Sequence, residues 1–379
     1  MRVGIDARML CRSVTGIERY ALEIIGQLLR LYPDVEFFLY APLPIRAPLD
    51  SAANLAVRTA SVKLGSLGVL LWAQSILPFW ANKDRLDIFW GPAHRLPRLL
   101  SGKIARVVTI HDLVWKYAGE TMRPAHRLVE KVLMPDAIRL ADRIVADSQS
   151  TADAVVEAFP YAKTKTQVVY LGATQFPTPK AFDSLLDFGI NRPYFLFVGT
   201  LEPRKNLRRL LQAYATLDSI LRGSNLLVIA GGKGWGNQNL ASLVRELNLE
   251  DSVRLTGYVN EETLATLYQH ALFLSMPSLY EGFGLPLVEA MSFGTPVLTS
   301  SCSSLPEVAG DAGILVDPYN ISSISSGLQQ MLQDDAIRSK FALQAKANAV
   351  RFNWEKTARE TMGIFYEAIH ARKTKCKEK

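Results

Sequence analysis

The sequence is poor in the features that mark several whole classes of protein. It has 3 cysteines in 379 residues, Cys11, Cys302 and Cys376, scattered and odd in number. That spacing gives neither a disulfide framework nor a zinc-ligand pair, and it suits a reducing cytosol. No window approaches the roughly 18 uninterrupted apolar residues of a membrane span. The start, MRVGIDARML, lacks the basic segment, apolar core and small-residue cleavage site of a secretory signal, and reads as a buried first strand. No zinc finger, aromatic RNA-binding signature or basic zipper is present, so nucleic acid is not an expected partner. No Asp-x-Asp pair occurs anywhere in the chain, as would be expected where a divalent metal holds a diphosphate. Neither a metal nor a cofactor is therefore expected.

What is present is an ordinary globular composition, 49% hydrophobic and 21% charged, and long enough for two domains. The net charge of +7 is uneven: residues 1–172 hold 22 Lys/Arg against 16 Asp/Glu, the remainder 21 against 20. The extreme tail is also basic, with Arg372, Lys373, Lys375, Lys377 and Lys379. Such a surface attracts anionic lipid or phosphorylated acceptors, or is simply solvated.

Short, nearly continuous apolar runs alternate with helical patterns. In the first half the strands fall at 2–6, 35–40, 86–90, 106–110, 143–146 and 167–170, with helices at 17–31 and 125–140. After a Pro-, Thr- and Phe-rich linker the pattern restarts at 194–198, 226–230, 253–255, 272–275, 296–299 and 313–316. Strands apolar on both faces, separated by helices, predict doubly wound parallel sheets. The expected architecture is two α/β Rossmann-like domains, with ligands outside the carboxyl ends of the strands. The domains are read as 1–172 and 193–352, joined by a linker at 173–192. A helix at 353–370 and a basic tail at 371–379 follow. The apolar segment 65–80, with two Trp and no charge, reads as a core helix or as a helix lying in a membrane interface.

Two motifs carry the chemistry. Glu281-Gly282-Phe283-Gly284-Leu285-Pro286-Leu287-Val288-Glu289 is a glycine loop entering a helix, where free N–H groups face an anion. Glu281 precedes the helix and Glu289 lies about a turn inside it, so the two carboxylates can address different parts of one ligand. Read alone, the motif is also compatible with a simple helix-capping loop. The second motif, Gly199-Thr-Leu-Glu-Pro-Arg204-Lys205-Asn206, follows a strand and precedes a helix, with Asn206 as the expected N-cap. Arg204 and Lys205 then suit a diphosphate, the Arg as a planar fork and the Lys as a point charge.

Together and in order, these motifs resemble family 4 of the glycosyltransferases, retaining enzymes of the GT-B fold. The Glu-x7-Glu spacing of Glu281 and Glu289 is similar to that family's signature. So are the start Gly4-Ile-Asp-Ala-Arg8, the loop Thr15-Gly16-Ile-Glu-Arg-Tyr20, Ile110-His111-Asp112 and Ala146-Asp147-Ser148.

The resemblance implies two facing Rossmann-like domains with a cleft between them, and a C-terminal helix that returns to the first. It implies that Arg204 and Lys205 hold the donor diphosphate, that Glu289 binds the ribose, and that Glu281 contacts the donor sugar. Gly282, Phe283, Gly284 and Leu285 would line the sugar pocket through backbone N–H groups. Gly16 would let its loop approach the phosphate, and Tyr258 and Val259 would sit near the base. His111 would lie near the anomeric carbon or a sugar hydroxyl. His94, in Gly91-Pro-Ala-His-Arg, reads as a loop histidine or as a weaker acceptor contact.

The likeness to bacterial O-antigen mannosyltransferases implies a nucleotide-sugar donor, GDP-mannose first, with UDP-sugars and dTDP-rhamnose open. The acceptor would be a lipid-linked or oligosaccharide chain, handled in the cytoplasm with peripheral membrane contact. A nucleotide-sugar epimerase, a phosphorylase and a catalytically silent binding module are the rival readings. The phosphorylase would need a lysine placed for pyridoxal phosphate, and no such motif stands out.

Overall fold

The structure, a computed structural model, describes residues 1–11, 16–60, 65–236 and 240–377. Thr15 and Lys379 lie outside the described residues. The chain divides into two compact units. The first comprises 1–113, 125–172 and 353–379; the second comprises 114–124 and 173–352.

In the first unit the strands are β1 (Arg2–Asp6), β2 (Glu36–Ala41), β3 (Leu55–Thr59), β4 (Ile88–Gly91), β5 (Ala105–Ile110), β6 (Arg143–Ala146) and β7 (Thr166–Val168). They form a parallel sheet in the order β3-β2-β1-β4-β5-β6-β7. The central strands are buried throughout, as their unbroken apolar runs require. Close packing shows at Gly4 in β1, where a Cβ would come within 2.2 Å of Leu86. In the second unit β8 (Tyr194–Val198), β9 (Leu226–Ala230), β10 (Val253–Gly257), β11 (Leu274–Met276), β12 (Val297–Ser300) and β13 (Gly313–Val316) form a parallel sheet. Their order is β10-β9-β8-β11-β12-β13. The order reverses between β8 and β11, which is where an open α/β sheet offers its ligand crevice. Both motifs singled out in the sequence leave from these two strands.

The last helix, Trp354–Lys377, belongs to the first unit although the chain before it belongs to the second. Trp354 packs on Tyr20 and Phe365 on Trp90, with ring centroids 6.3 and 5.6 Å apart. Ion pairs run along its length: Arg30–Glu355 at 3.0 Å, Arg143–Glu367 at 3.1 Å and Arg372–Asp142 at 2.6 Å.

Two details depart from the sequence reading. The strand β3 is not among the expected strands. It is an edge strand, partly exposed throughout, and LAVRT holds no continuous apolar run. The segment 65–80 is not one helix: Ser66–Gln74 and Ile76–Lys83 meet at Ser75, whose hydroxyl donates to the Leu71 carbonyl at 2.7 Å. Trp72, Ala73 and Leu77 are buried, while Leu71 and Phe79 are about two-thirds exposed. The segment is half core and half surface.

Candidate functional site

The loop after β8 makes one tight turn, Pro203–Lys205, and ends at Asn206 in the left-handed region (φ 60°). Asn206 directly precedes the helix Leu207–Ala215, but its side chain caps nothing. This corrects the N-cap reading. Its amide instead donates to the carbonyls of Pro277 at 2.9 Å and Pro318 at 2.7 Å. A buried amide so placed ties the loops after β8, β11 and β13 together. Arg204 fastens the same loops again. Its carbonyl accepts the Leu279 N–H at 2.9 Å, and its guanidinium donates to the Tyr280 carbonyl at 2.7 Å. The Tyr280 ring in turn stacks on Tyr117, centroids 6.0 Å apart.

This scaffold brings three of the sequence-derived residues into one cluster. Lys205 Nζ lies 2.7 Å from Glu281 Oε1, and Arg204 Nη1 lies 2.5 Å from Glu281 Oε2. Glu281 and Lys205 are both buried. Glu202 stands at the rim, 4.0 Å from Arg204. Burial alone pushes the Glu281 carboxyl up, but the adjacent guanidinium and ammonium outweigh it and hold the pKa down at about 2. Burial pulls the Lys205 ammonium below its usual range, and Glu281 opposes that.

The loop that carries Glu281 is held by its backbone. The Glu281 N–H donates to Ser303 Oγ at 3.0 Å, and the Ser304 hydroxyl reaches the carbonyls of Glu281 and Phe283 at 3.0 and 2.8 Å. The Phe283 side chain is buried edge-on against Phe352. Gly284 adopts φ +103°, and a Cβ there would lie 2.8 Å from Leu305 Cδ2, so a glycine is required. Leu285 then opens the helix Leu285–Ser292.

Glu289, inside that helix, is held differently. Tyr268 donates to its Oε2 at 2.8 Å and Thr174 to its Oε1 at 2.6 Å, both within buried surroundings. Tyr258 and Val259 follow β10, with Tyr258 exposed, and β9 separates that strand from β8. Gly16 opens the helix Gly16–Leu31 in the first unit and is exposed; a Cβ there would meet nothing within 4 Å. Among the described residues no packing demands glycine at that position.

In the first unit His111 follows β5 and Asp147 follows β6, its neighbour in the sheet. His111 Nδ1 bonds Asp147 Oδ2 at 2.5 Å, and Nε2 bonds the Pro92 carbonyl at 2.7 Å. Both partners are acceptors, so both ring nitrogens carry protons. Burial disfavours that charge, but the Asp147 carboxylate outweighs it and the pKa rises above the ordinary histidine value. The partner of His111 is thus Asp147 rather than its chain neighbour Asp112. His94 is buried in the same network. Its Nε2 accepts the His111 backbone N–H at 3.0 Å, which places its proton on Nδ1, facing Glu130 at 3.3 Å. Both of its ring nitrogens thus face protein partners.

Sequence reasoning did not assign roles to Asp147, Thr174, Tyr268, Ser303 and Ser304. Only Asp147 carried a signal, through its place in Ala146-Asp147-Ser148. The others act across the chain through single hydroxyls.

Comparison with known proteins bears on this arrangement. Residues 14–174 match the family described as Glycosyltransferase Family 4, and residues 186–348 match Glycosyl transferases group 1. The chain is 33% identical over 371 residues to the O-antigen chain mannosyltransferase B of Escherichia coli, covering 93% of this chain and 96% of that one. Among solved structures, WaaG, a glycosyltransferase involved in lipopolysaccharide biosynthesis, superposes with a TM-score of 0.76 at 16% identity, over 96% of this chain and 99% of that one. Anabaena HepE, solved with UDP and glucose, gives 0.71 at 18% identity, over 97% of this chain and 100% of that one. These two are similar in fold. The chain has the paired parallel-sheet architecture of the GT-B enzymes and belongs to the family 4 glycosyltransferases.

Proposed function

We propose that this glycosyltransferase moves a mannosyl group from GDP-mannose to the growing saccharide of a lipopolysaccharide O-antigen or related surface polysaccharide. The anomeric configuration is retained and no divalent metal takes part. The observation that carries the chemistry is the Arg204–Lys205 pair, Lys205 buried and Arg204 partly so, on the loop that follows β8 at the point where the strand order reverses. Breaking the bond from C1 to the diphosphate puts negative charge on the leaving oxygen, and two fixed cations stabilise it in place of a metal. The mannosyl assignment rests on likeness to the Escherichia coli enzyme along nearly its whole length.

In this reading Glu281 contacts hydroxyls of the donor sugar, with the backbone of Gly282, Phe283, Gly284 and Leu285 beside it. Glu289 binds the ribose, with Thr174 and Tyr268 holding its carboxylate. Tyr258 and Val259 flank the base, and Gly16 admits a phosphate. His111 acts as an imidazolium, exchanging its bond to the Pro92 carbonyl for a sugar hydroxyl. The leaving diphosphate takes the acceptor proton on the face from which it departs, which gives retention without a covalent intermediate.

No helix among the described residues is long and apolar enough to cross a membrane. Peripheral contact at the cytoplasmic face would use a surface of the first unit. Leu71, Phe79, Leu99, Leu128 and Val132 are all more than half exposed there. Asn82 donates to the Leu99 carbonyl at 3.0 Å and Arg98 pairs with Asp136 at 2.5 Å, so the elements that carry these side chains are neighbours. Exposed Arg127 and Lys131 on the helix Pro124–Leu140 add positive charge.

The test is incubation with GDP-mannose, UDP-glucose, other UDP-sugars and dTDP-rhamnose, each with lipid-linked acceptors, reading nucleotide release, product mass and the anomeric configuration by NMR. An α-mannosyl product formed in excess chelator is expected. Transfer of a different sugar, an inverted product or dependence on a divalent ion would each overturn the matching part of the proposal.

A further inference from the structure

The cluster around Glu281 has a property that the role of a sugar ligand does not explain. Its carboxylate oxygens contact the two cations assigned to the diphosphate, one each. A carboxylate and a phosphate offer a guanidinium or ammonium the same kind of acceptor. The three charged groups sit in surroundings where an unpaired charge is costly, so the cations cannot stand unmatched between turnovers.

We infer that Glu281 is a resident substitute for the donor diphosphate: it occupies Arg204 and Lys205 in the empty enzyme, yields them when a nucleoside diphosphate enters, and reclaims them as the product leaves. The inference rests on the assignment of Arg204 and Lys205 to the diphosphate. The displaced carboxylate is then the group that turns to the sugar hydroxyls. One side chain thus couples arrival of the diphosphate to recognition of the sugar. The surroundings allow this exchange. The backbone of residues 281–284 is pinned by Ser303, Ser304 and buried Phe283, so the loop stays fixed while the Glu281 side chain reorients. Glu202 contacts Arg204 only from the partly exposed rim, and it does not contend for Lys205 at comparable distance. Glu289 is held in another way, with the Thr174 and Tyr268 hydroxyls donating one to each of its oxygens.

The consequence runs against the usual effect of removing a site residue. Glu281→Gln deletes the competing charge and leaves both cations, so it should bind the product more tightly while transferring sugar more slowly. GDP, UDP and inorganic pyrophosphate are the probes, measured by calorimetry on the full chain, with melting temperature as a check on folding. Glu281→Gln is expected to tighten all three by about tenfold or more, by a similar factor, because the exchanged group is the diphosphate alone. Product inhibition by GDP should strengthen in parallel. Arg204→Ala is expected to weaken all three. If Arg204→Ala weakens binding while Glu281→Gln leaves it unchanged or weaker, the substitution inference fails and the donor site stands. If Arg204→Ala changes nothing, the donor site itself is wrong. A structure of the wild-type enzyme with GDP gives a check that does not depend on any variant. The contact of Lys205 Nζ with Glu281 Oε1 should open beyond hydrogen-bond distance, with a phosphate oxygen in its place. A bound diphosphate beside a closed pair would overturn the inference.

Discussion

Each unit places a buried carboxylate against a base at the ends of adjacent strands, but the two arrangements are balanced differently. In the first, His111 and Asp147 are matched one to one, and the remaining ring nitrogen is taken by the Pro92 carbonyl. In the second, two cations share the single buried carboxylate of Glu281, with Glu202 only at the rim. The first pair engages both ring nitrogens of His111 with protein acceptors and leaves Asp147 Oδ1 buried without a hydrogen-bond partner. The second holds its cations with an acid whose charge a diphosphate carries more strongly. The two pairs differ in what a ligand would displace: a backbone carbonyl from His111, a carboxylate from Arg204 and Lys205. What distinguishes a binding site is whether a ligand offers a better partner for the same charges.

Breaking the His111–Asp147 pair should have the largest effect on stability. Asp147→Ala strands a buried imidazole and is expected to cost about 3–5 kcal/mol by chemical denaturation. With Asp147→Asn the pKa of His111, followed by NMR, should fall. The sign follows from linkage. The folded His111 pKa is raised, so its contribution is fully present below the unfolded value near 6.5 and is lost as pH rises through the folded value. Glu281 behaves oppositely: its pKa is depressed from 4.5 to about 2, so its contribution holds above 4.5 and is lost as pH falls toward 2. The two sites thus limit stability from opposite ends of the pH scale.

Gly284→Ala sharpens the comparison at the backbone. It puts a Cβ against Leu305 at a positive φ and should cost about 2 kcal/mol, with a larger relative loss of transfer than of stability. Thr174→Val removes one hydroxyl from Glu289 and should cost about 1.5 kcal/mol, read by the same denaturation assay. Phe79→Ser, on the exposed face of the first unit, should change stability by no more than about 0.5 kcal/mol. It should nevertheless reduce binding to anionic vesicles measured by sedimentation.

The architecture was legible because both sheets bury their central strands on both faces, leaving long apolar runs such as Tyr194–Val198. The edge strand β3 was not, since half-exposed residues such as Val57 and Arg58 carry no such run. The cluster of Arg204, Lys205 and Glu281 could be anticipated as two strand-end motifs of opposite charge. That they pair with one another could not, because 76 residues separate Lys205 from Glu281 along the chain. The capping role expected of Asn206 failed for a related reason. A residue suited to a cap is equally suited to a buried tie, and only the folded loops supply the carbonyls of Pro277 and Pro318. Single hydroxyls such as those of Thr174 and Ser304 leave no pattern in a sequence at all.

The most direct test of the central claim is the turnover of the Arg204→Ala/Lys205→Ala variant at saturating donor. If these side chains stabilise the departing diphosphate, kcat should fall by about 100-fold or more, a larger factor than the rise in KM, with the protein still folded. A folded double variant that turns over at the wild-type rate would contradict the account.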